Sequence, residues 1–160
     1  MKIIFLLGEN NSGKTTTLNL VYNTIANNSP RIPIQYGSKT DFESMFIYNN
    51  QHVAIYSLGD IQYKVIDAID KYTKLHTDVL IIAYNLKFKK PLSKLRQNNT
   101  FIQINKTFDR NNQFQVNQND CNNIIANIWN NWGEIIMAEF TEEHSYALAM
   151  EGMYPSILAS

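Results

Sequence analysis

Residues 2–17, which read KIIFLLGENNSGKTTT, decide the fold of this chain. The stretch opens with an apolar run that Gly8 ends, a pattern typical of a strand buried on both faces. After Lys14, apolar residues recur at the spacing of one helical face. They are Leu18, Val21, Tyr22 and Ile25. The segment therefore predicts a buried strand, a polar turn and a helix in direct succession.

The turn between strand and helix has the pattern G-x-x-x-x-G-K-[ST]. Glycines at positions 8 and 13 permit backbone conformations that side chains would obstruct, so that successive N–H groups can face a phosphate. Lys14 supplies charge for β- and γ-phosphates, the Thr15 hydroxyl suits Mg²⁺, and the helix N-terminus favours an anion. We therefore expect a phosphate-binding loop comprising Gly8, Glu9, Asn10, Asn11, Ser12, Gly13, Lys14, Thr15 and Thr16.

On these residues the chain resembles the P-loop NTPase superfamily, and the sequence of its loop is most similar to that of ABC-type and RecF/SMC-type ATPases. The resemblance implies binding of a nucleotide triphosphate and Mg²⁺, with Lys14 and Thr15 in the roles just given. Those two ATPase groups carry a Leu-Ser-Gly-Gly signature and an apolar strand ending in Asp-Glu. Neither occurs here, and 160 residues leave no room for their extra subdomain. We therefore do not assign the chain to either group.

Strand-like and helix-like segments alternate along the rest of the chain. The further strands expected are 44–48 and 52–57, which would form a β-hairpin, then 78–84 and 100–104. A second helix is expected over 61–72 and a third from Asp120 onward, with loops at 30–41 and 109–119. This alternation predicts an α/β fold of three layers with a mostly parallel sheet, as in P-loop NTPases.

The composition changes near the C-terminus, since residues 133–160 contain no Asn or Gln although the whole chain contains 21 Asn and 8 Gln. We expect a nucleotide-binding domain over 1–132 and a helical extension over 133–160 that packs on it. An oligomer contact or a partly disordered tail are the alternatives for the extension.

A carboxylate is expected beside the loop to help hold Mg²⁺. Asp60 follows the 52–57 strand, and a carboxylate just beyond such a strand could reach the metal directly or through water. The alternative is that Asp60 only caps the second helix. Asp78 opens its strand and should therefore lie at the wrong edge of the sheet. Lys14 and Asp60 are the predicted catalytic residues, and Thr15 and Asp60 the predicted metal ligands.

A hairpin followed by Gly59 also resembles the interswitch region of small GTPases. The Asp-x-x-Gly motif of that family would need Asp at position 56, where this chain has Tyr. Its guanine-reading motif, Asn-Lys-x-Asp, is approached by Asn105, Lys106 and Asp109, but the spacing is one residue too long. ATP is therefore preferred to GTP. The neighbour of the 2–7 strand offers a further criterion. Direct contact with the 53–57 strand would indicate kinases and GTPases, whereas an intervening strand would indicate RecA- and ABC-like ATPases.

The remaining candidate residues carry weaker signals. A basic cluster over 87–96 predicts a solvated segment, a lid over phosphates or a local nucleic-acid contact; it comprises Lys87, Lys89, Lys90, Lys94 and Arg96. Gln62 could orient a water molecule but is expected on the surface of the second helix. The three histidines, His52, His76 and His144, show no metal-ligand spacing.

Charge and cysteine content exclude several classes of protein. The 14 basic and 14 acidic residues balance, which argues against broad attraction to nucleic acid or to an anionic membrane. Cys121 is the single cysteine, so we expect a buried thiol, no intramolecular disulfide and a cytoplasmic location. No apolar run reaches the length of about 20 residues that a membrane span needs.

Together these patterns predict a small ATP-binding protein that is a Mg²⁺-dependent NTPase. The alternatives are a small-molecule or nucleotide kinase, with 86–96 as lid and 30–46 as acceptor site, and a non-catalytic, nucleotide-dependent interaction module. The expected partners are a nucleotide triphosphate, a phosphoryl acceptor in the kinase case, and a protein or a second copy of the chain at 133–160.

Overall fold

The computed structural model describes residues 1–88 and 99–129. Three helices and six strands form this part of the chain. The strands are β1 (Lys2–Gly8), β2 (Ile32–Pro33), β3 (Phe42–Tyr48), β4 (Gln51–Tyr56), β5 (Val79–Asn85) and β6 (Thr100–Asn105). The helices are α1 (Lys14–Ile25), α2 (Gln62–Lys74) and α3 (Gln113–Asn127). The predicted extension over 133–160 lies outside the described residues.

The six strands form one sheet in the order β2-β3-β4-β5-β1-β6. β4, β5, β1 and β6 run parallel, whereas β3 runs antiparallel to both β2 and β4. α1 packs against α3, β1 and β5, and α2 packs against β5. The predicted α/β architecture with a mostly parallel sheet is therefore confirmed.

The central strands β1 and β5 form the core of the sheet. Every residue of β5 is buried, as is every residue of β1 after Lys2. Strands with a parallel neighbour on each side must be apolar on both faces, which explains the unbroken apolar runs at 3–7 and 79–84. Because β1 lies between β5 and the edge strand β6, the turn that follows Gly8 leaves the sheet one strand in from this edge.

The predicted hairpin is confirmed, and two asparagines close it. Tyr48 pairs with Gln51, so that Asn49 and Asn50 form a two-residue turn with φ values of 55° and 58°. Asparagine tolerates this left-handed region better than most residues, and paired positive φ values match the twist of the flanking strands.

Two loop predictions are wrong. Residues 113–119, expected in a loop, belong to α3, which begins at Gln113 rather than at Asp120. Amide side chains one helical turn apart hydrogen-bond along this helix and support it. The pairs are Gln113–Asn117, Gln115–Asn119, Gln118–Asn122 and Asn123–Asn127. In the second predicted loop, 30–41, Ile32–Pro33 adds an edge strand to β3.

Gly59 lies where β4 leaves the sheet, against the backbone of β5. A Cβ atom at this position would lie 2.5 Å from the carbonyl carbon of Ala83 and 2.6 Å from the backbone nitrogen of Tyr84. The Gly59 carbonyl accepts a hydrogen bond from the Asn85 N–H at 3.1 Å. Only glycine permits this close approach, which holds the residue after it, Asp60, at the carboxyl edge of the sheet.

Candidate phosphate-binding site

The polar loop between β1 and α1 has the geometry expected for it. α1 begins at Lys14, and its N-cap residue Gly13 has φ 93°, a left-handed conformation that favours glycine. Asn11 is also left-handed, with φ 59°. These two positions turn the chain sharply from the end of β1 into the first turn of the helix.

The backbone N–H groups of this loop are available to a ligand. Among the described residues, none accepts a hydrogen bond from the N–H groups of residues 10–16, and the first bonded group is the Thr17 N–H, which reaches the Gly13 carbonyl at 2.9 Å. Unpaired N–H groups at a helix N-terminus attract anions, and they carry no side-chain cap here. The loop residues present therefore fit a phosphate group.

Lys14 lies folded over the loop. Its Nζ donates hydrogen bonds to the carbonyl oxygens of Gly8, at 3.0 Å, and Glu9, at 2.7 Å. The side chain is buried, and this burial lowers the pKa of the Lys14 ammonium, an effect that the negative charge of Asp60 opposes. A buried ammonium held by carbonyls would gain by pairing with an anion.

Asp60 lies beside the loop, close to Lys14. Its Oδ1 lies 3.5 Å from the Lys14 Nζ and accepts a hydrogen bond from the Asn85 amide at 3.0 Å. The same amide nitrogen donates to Asn10 Oδ1 at 2.7 Å, so that Asn85 connects Asp60 to the loop. The alternative role as helix cap is wrong, because α2 has Ile61 as its N-cap without a side-chain hydrogen bond.

Asp41 is a second carboxylate at the site. It immediately precedes β3, and its Oδ1 accepts hydrogen bonds from the Thr15 hydroxyl at 3.0 Å and the Ser57 hydroxyl at 2.9 Å. Its Oδ2 accepts from the backbone N–H of Ser38 at 3.0 Å. Asp41 is 7% exposed. The hydroxyl of Thr15 is therefore oriented by a buried, fully bonded carboxylate.

These groups surround an open cleft of about 520 Å³. It is lined by residues 11–16 of the loop and α1, by residues 36–38, 40 and 41, and by Ser57, Leu58, Asp60 and Ile61. The oxygen donors in it are hydroxyls and carboxylates, which suit a hard cation such as Mg²⁺. No three His, Cys, Asp or Glu side chains of the described residues converge into a cage. Mg²⁺ bound with phosphate oxygens and water needs no such cage.

The other sequence candidates that the structure describes do not line this cleft. Asp78 lies at the opposite edge of the sheet, as predicted, where its Oδ2 accepts a hydrogen bond from the His52 N–H at 2.8 Å. Lys106 pairs with Asp120. Gln62 opens α2 and does not line the cleft. Of the basic cluster, Lys87 is exposed. Lys89, Lys90, Lys94 and Arg96 lie outside the described residues, as does His144.

Sequence reasoning missed three polar residues of the site. Asn85 ends the apolar run of β5, and applying to this strand the rule used for Asp60, that sites lie at the carboxyl ends of parallel strands, would have found it. Asp41 and Ser57 have a weaker signal. They meet because β3 is antiparallel, so that its start lies beside the end of β4.

The chain matches no protein-family model, no curated protein and no solved structure. None of the helices in residues 1–88 and 99–129 has the length and apolar character that crossing a membrane requires.

Proposed function

We propose that this protein binds a nucleoside triphosphate together with Mg²⁺ at the loop over residues 8–16, and hydrolyses it. The observation that carries the proposal is the set of N–H groups over 10–16 that have no acceptor among the described residues, directly beside the buried ammonium of Lys14. A polyphosphate would bring negative oxygens to these N–H groups and could replace half-exposed Asp60 as the anionic partner of Lys14.

The hydroxyl of Thr15 is oriented to act as a ligand of a metal ion. It donates its single proton to Asp41, which leaves its oxygen lone pairs free to bind a cation. Such oriented partners behind a ligand raise its affinity for metal. Mg²⁺, when bound, would neutralise charge on the phosphate oxygens. Asp60, half exposed and close to Lys14, could reach the ion directly or through water.

Asn85 is placed to hold Asp60 and the loop in a fixed relation. Its carboxamide is buried at 4% exposure and bridges Asp60 and Asn10. Both hydrogens of the amide nitrogen are donated in these two bonds, so Asn85 would act by positioning Asp60 and the loop. Lys14 would stabilise developing negative charge, so that positioning and electrostatics would provide most of the catalysis.

The order of the strands supports an ATPase over a kinase or GTPase. β5 lies between β1 and β4, which is the arrangement expected for RecA- and ABC-like ATPases. Two of the three residues compared with a guanine-reading motif are also engaged elsewhere. Lys106 is held by Asp120, and the Asp109 carboxylate accepts from the Asn111 N–H at 3.0 Å. This supports ATP as the nucleotide.

The decisive experiment measures binding and turnover of ATP, GTP and inorganic tripolyphosphate, with and without Mg²⁺. We expect Lys14→Ala to lose at least a hundredfold in affinity, because charged hydrogen bonds to phosphate are worth about 1.5–3 kcal/mol each and a buried site strengthens them. Lys74→Ala is the matched control, since Lys74 is an exposed lysine on α2 that pairs only with Asp70 among the described residues.

Equal affinity of wild type and Lys14→Ala for every phosphate ligand would refute the proposal. Binding without turnover would refute only its hydrolytic half, and would favour a nucleotide-dependent interaction module.

A further inference from the structure

We propose that the ring of Tyr36 is a stacking surface for a nucleobase at the mouth of the phosphate cleft. This inference rests on the proposed function, and adds the part of the ligand that the phosphate loop does not address. Tyr36 lines the cleft together with Thr15 and Thr16 of α1. The ring is 72% exposed, so that the hydrophobic core does not account for its position.

The backbone holds Tyr36 in a costly conformation. Its φ is 67°, in the left-handed region that non-glycine residues adopt at a cost of about 1 kcal/mol or more. The turn over 34–37, in which the Gly37 N–H reaches the Ile34 carbonyl at 3.2 Å, has Tyr36 at its third position, where a positive φ is accommodated. A second turn follows directly, in which the Asp41 N–H reaches the Ser38 carbonyl at 3.1 Å. The ring is therefore presented to solvent at a strained, defined position.

The segment that carries Tyr36 is tied to the phosphate loop by Asp41. One oxygen of this carboxylate binds the Ser38 N–H and the other binds the Thr15 hydroxyl. The ring consequently has a constrained location relative to the predicted metal side of the loop. A preordered aromatic surface loses little freedom when a planar group stacks on it.

The Tyr36 ring also contacts the ammonium group of Lys64. The Nζ of Lys64 lies 5.2 Å from its centroid and 5.9 Å from the centroid of Tyr63. This cation–π contact braces the ring from the side of α2. The cleft side of the ring would then receive the base, which needs a flat π-surface rather than a specific hydrogen-bond pattern.

A nucleobase could reach Tyr36 from two sources. It could belong to the triphosphate held by the loop, or to a second molecule such as a nucleoside acceptor beside it. Three ligands separate these sources: Mg²⁺·ATP, Mg²⁺·tripolyphosphate, which has the same phosphates without a base, and free nucleosides added to protein loaded with tripolyphosphate. Binding is measured by calorimetry on the full chain.

Tyr36→Leu removes the ring and Tyr36→Phe retains it. We expect Tyr36→Leu to lose about tenfold in affinity for the ligand that carries the base, a size typical of base–aromatic stacking. Tyr36→Phe should bind this ligand as tightly as the wild type does. If the base belongs to the bound triphosphate, Tyr36→Leu lowers the affinity for ATP and leaves the affinity for tripolyphosphate unchanged. If the base belongs to a second molecule, Tyr36→Leu lowers the affinity for the nucleoside and leaves the affinity for ATP unchanged. Phe114→Ala, at an equally exposed aromatic outside the cleft, should change neither.

The inference is overturned if Tyr36→Leu binds ATP and nucleosides as the wild type does, or if the wild type binds ATP no better than tripolyphosphate and binds no nucleoside. In both cases tripolyphosphate binding can remain intact, which leaves the proposed function standing. A wild type that binds neither ATP nor tripolyphosphate fails the proposed function itself, and this inference with it.

Discussion

Two lysine–aspartate pairs lie close to the phosphate loop, and they are built differently. Lys106 Nζ lies 2.8 Å from Asp120, with side-chain exposures of 0% and 8%. Lys14 Nζ lies 3.5 Å from Asp60, with exposures of 5% and 46%. The first pair is short and buried at both ends, whereas the second is long and half open to the cleft.

The difference in hydrogen bonding separates a structural pair from one suited to a ligand. The Asp120 carboxylate also accepts hydrogen bonds from the backbone N–H of Thr107 at 2.8 Å and from the Thr107 hydroxyl at 3.1 Å. Both of its oxygens are therefore hydrogen-bonded. Asp60 receives only a long contact from Lys14 and one amide hydrogen bond among the described residues. An anion could displace the Lys14–Asp60 contact at little cost, while Lys106–Asp120 keeps the end of β6 joined to α3.

The largest expected effect comes from breaking the structural pair. Lys106→Ala should lower the free energy of unfolding by about 3–5 kcal/mol, because it leaves the buried Asp120 carboxylate without its cation. Urea denaturation measures this loss.

The matched control for this change is the double variant Lys106→Met/Asp120→Asn, which removes both charges and keeps the lysine stem that packs near Gly8 and Gly13. It should recover most of the lost stability. A single variant as stable as the wild type would show that the pair does not hold the fold together.

An intermediate effect is expected when the charge behind Thr15 is removed. Asp41→Asn should weaken Mg²⁺-dependent triphosphate binding about tenfold, because the neutral amide orients the Thr15 hydroxyl less strongly. Titration of Mg²⁺ at fixed nucleotide measures it. Asp120→Asn, in the structural pair, is the control, and should lower stability while leaving the Mg²⁺ dependence of the folded protein unchanged. Equal Mg²⁺ titrations for Asp41→Asn and wild type would contradict the role assigned to Asp41.

The smallest effect is a pH dependence that belongs to Lys14. Because burial lowers the pKa of its ammonium, the charge is lost at a pH below the ordinary value of 10.5. Affinity for tripolyphosphate should therefore decline as pH rises through the lowered pKa. The stability term from the same group has the opposite sign. Between the lowered pKa and 10.5 the unfolded chain binds more protons, so this term raises the free energy of unfolding as pH rises.

Lys14→Arg provides the control for the pH series, since a guanidinium keeps its charge throughout. Its affinity should be lower than that of the wild type but independent of pH over the same range. A wild-type affinity that stays constant up to pH 10.5 would show that the lysine charge is not needed for binding.

Local patterns in the chain predicted most of the elements. The strands β1 and β5 and the helix α1 lie close to where they were expected. Burial on both faces requires an unbroken apolar run, and burial on one face requires apolar residues at a fixed spacing, so that both can be recognised in the sequence. The start of α3 was missed because its first turns are rich in amides, which resemble a loop until the i,i+4 pairing of their side chains is seen.

Residue order alone predicts the strand–loop–helix unit at residues 2–25, because an apolar run, a glycine-containing turn and a helical stripe are all local patterns. The distant residues that complete the site become apparent only in the folded chain. Asp41, Asn85 and Tyr36 reach the loop through an antiparallel strand, a neighbouring parallel strand and a strained turn. The order and direction of strands arise from long-range packing of interchangeable apolar surfaces, and a single sequence does not display that packing as a local pattern.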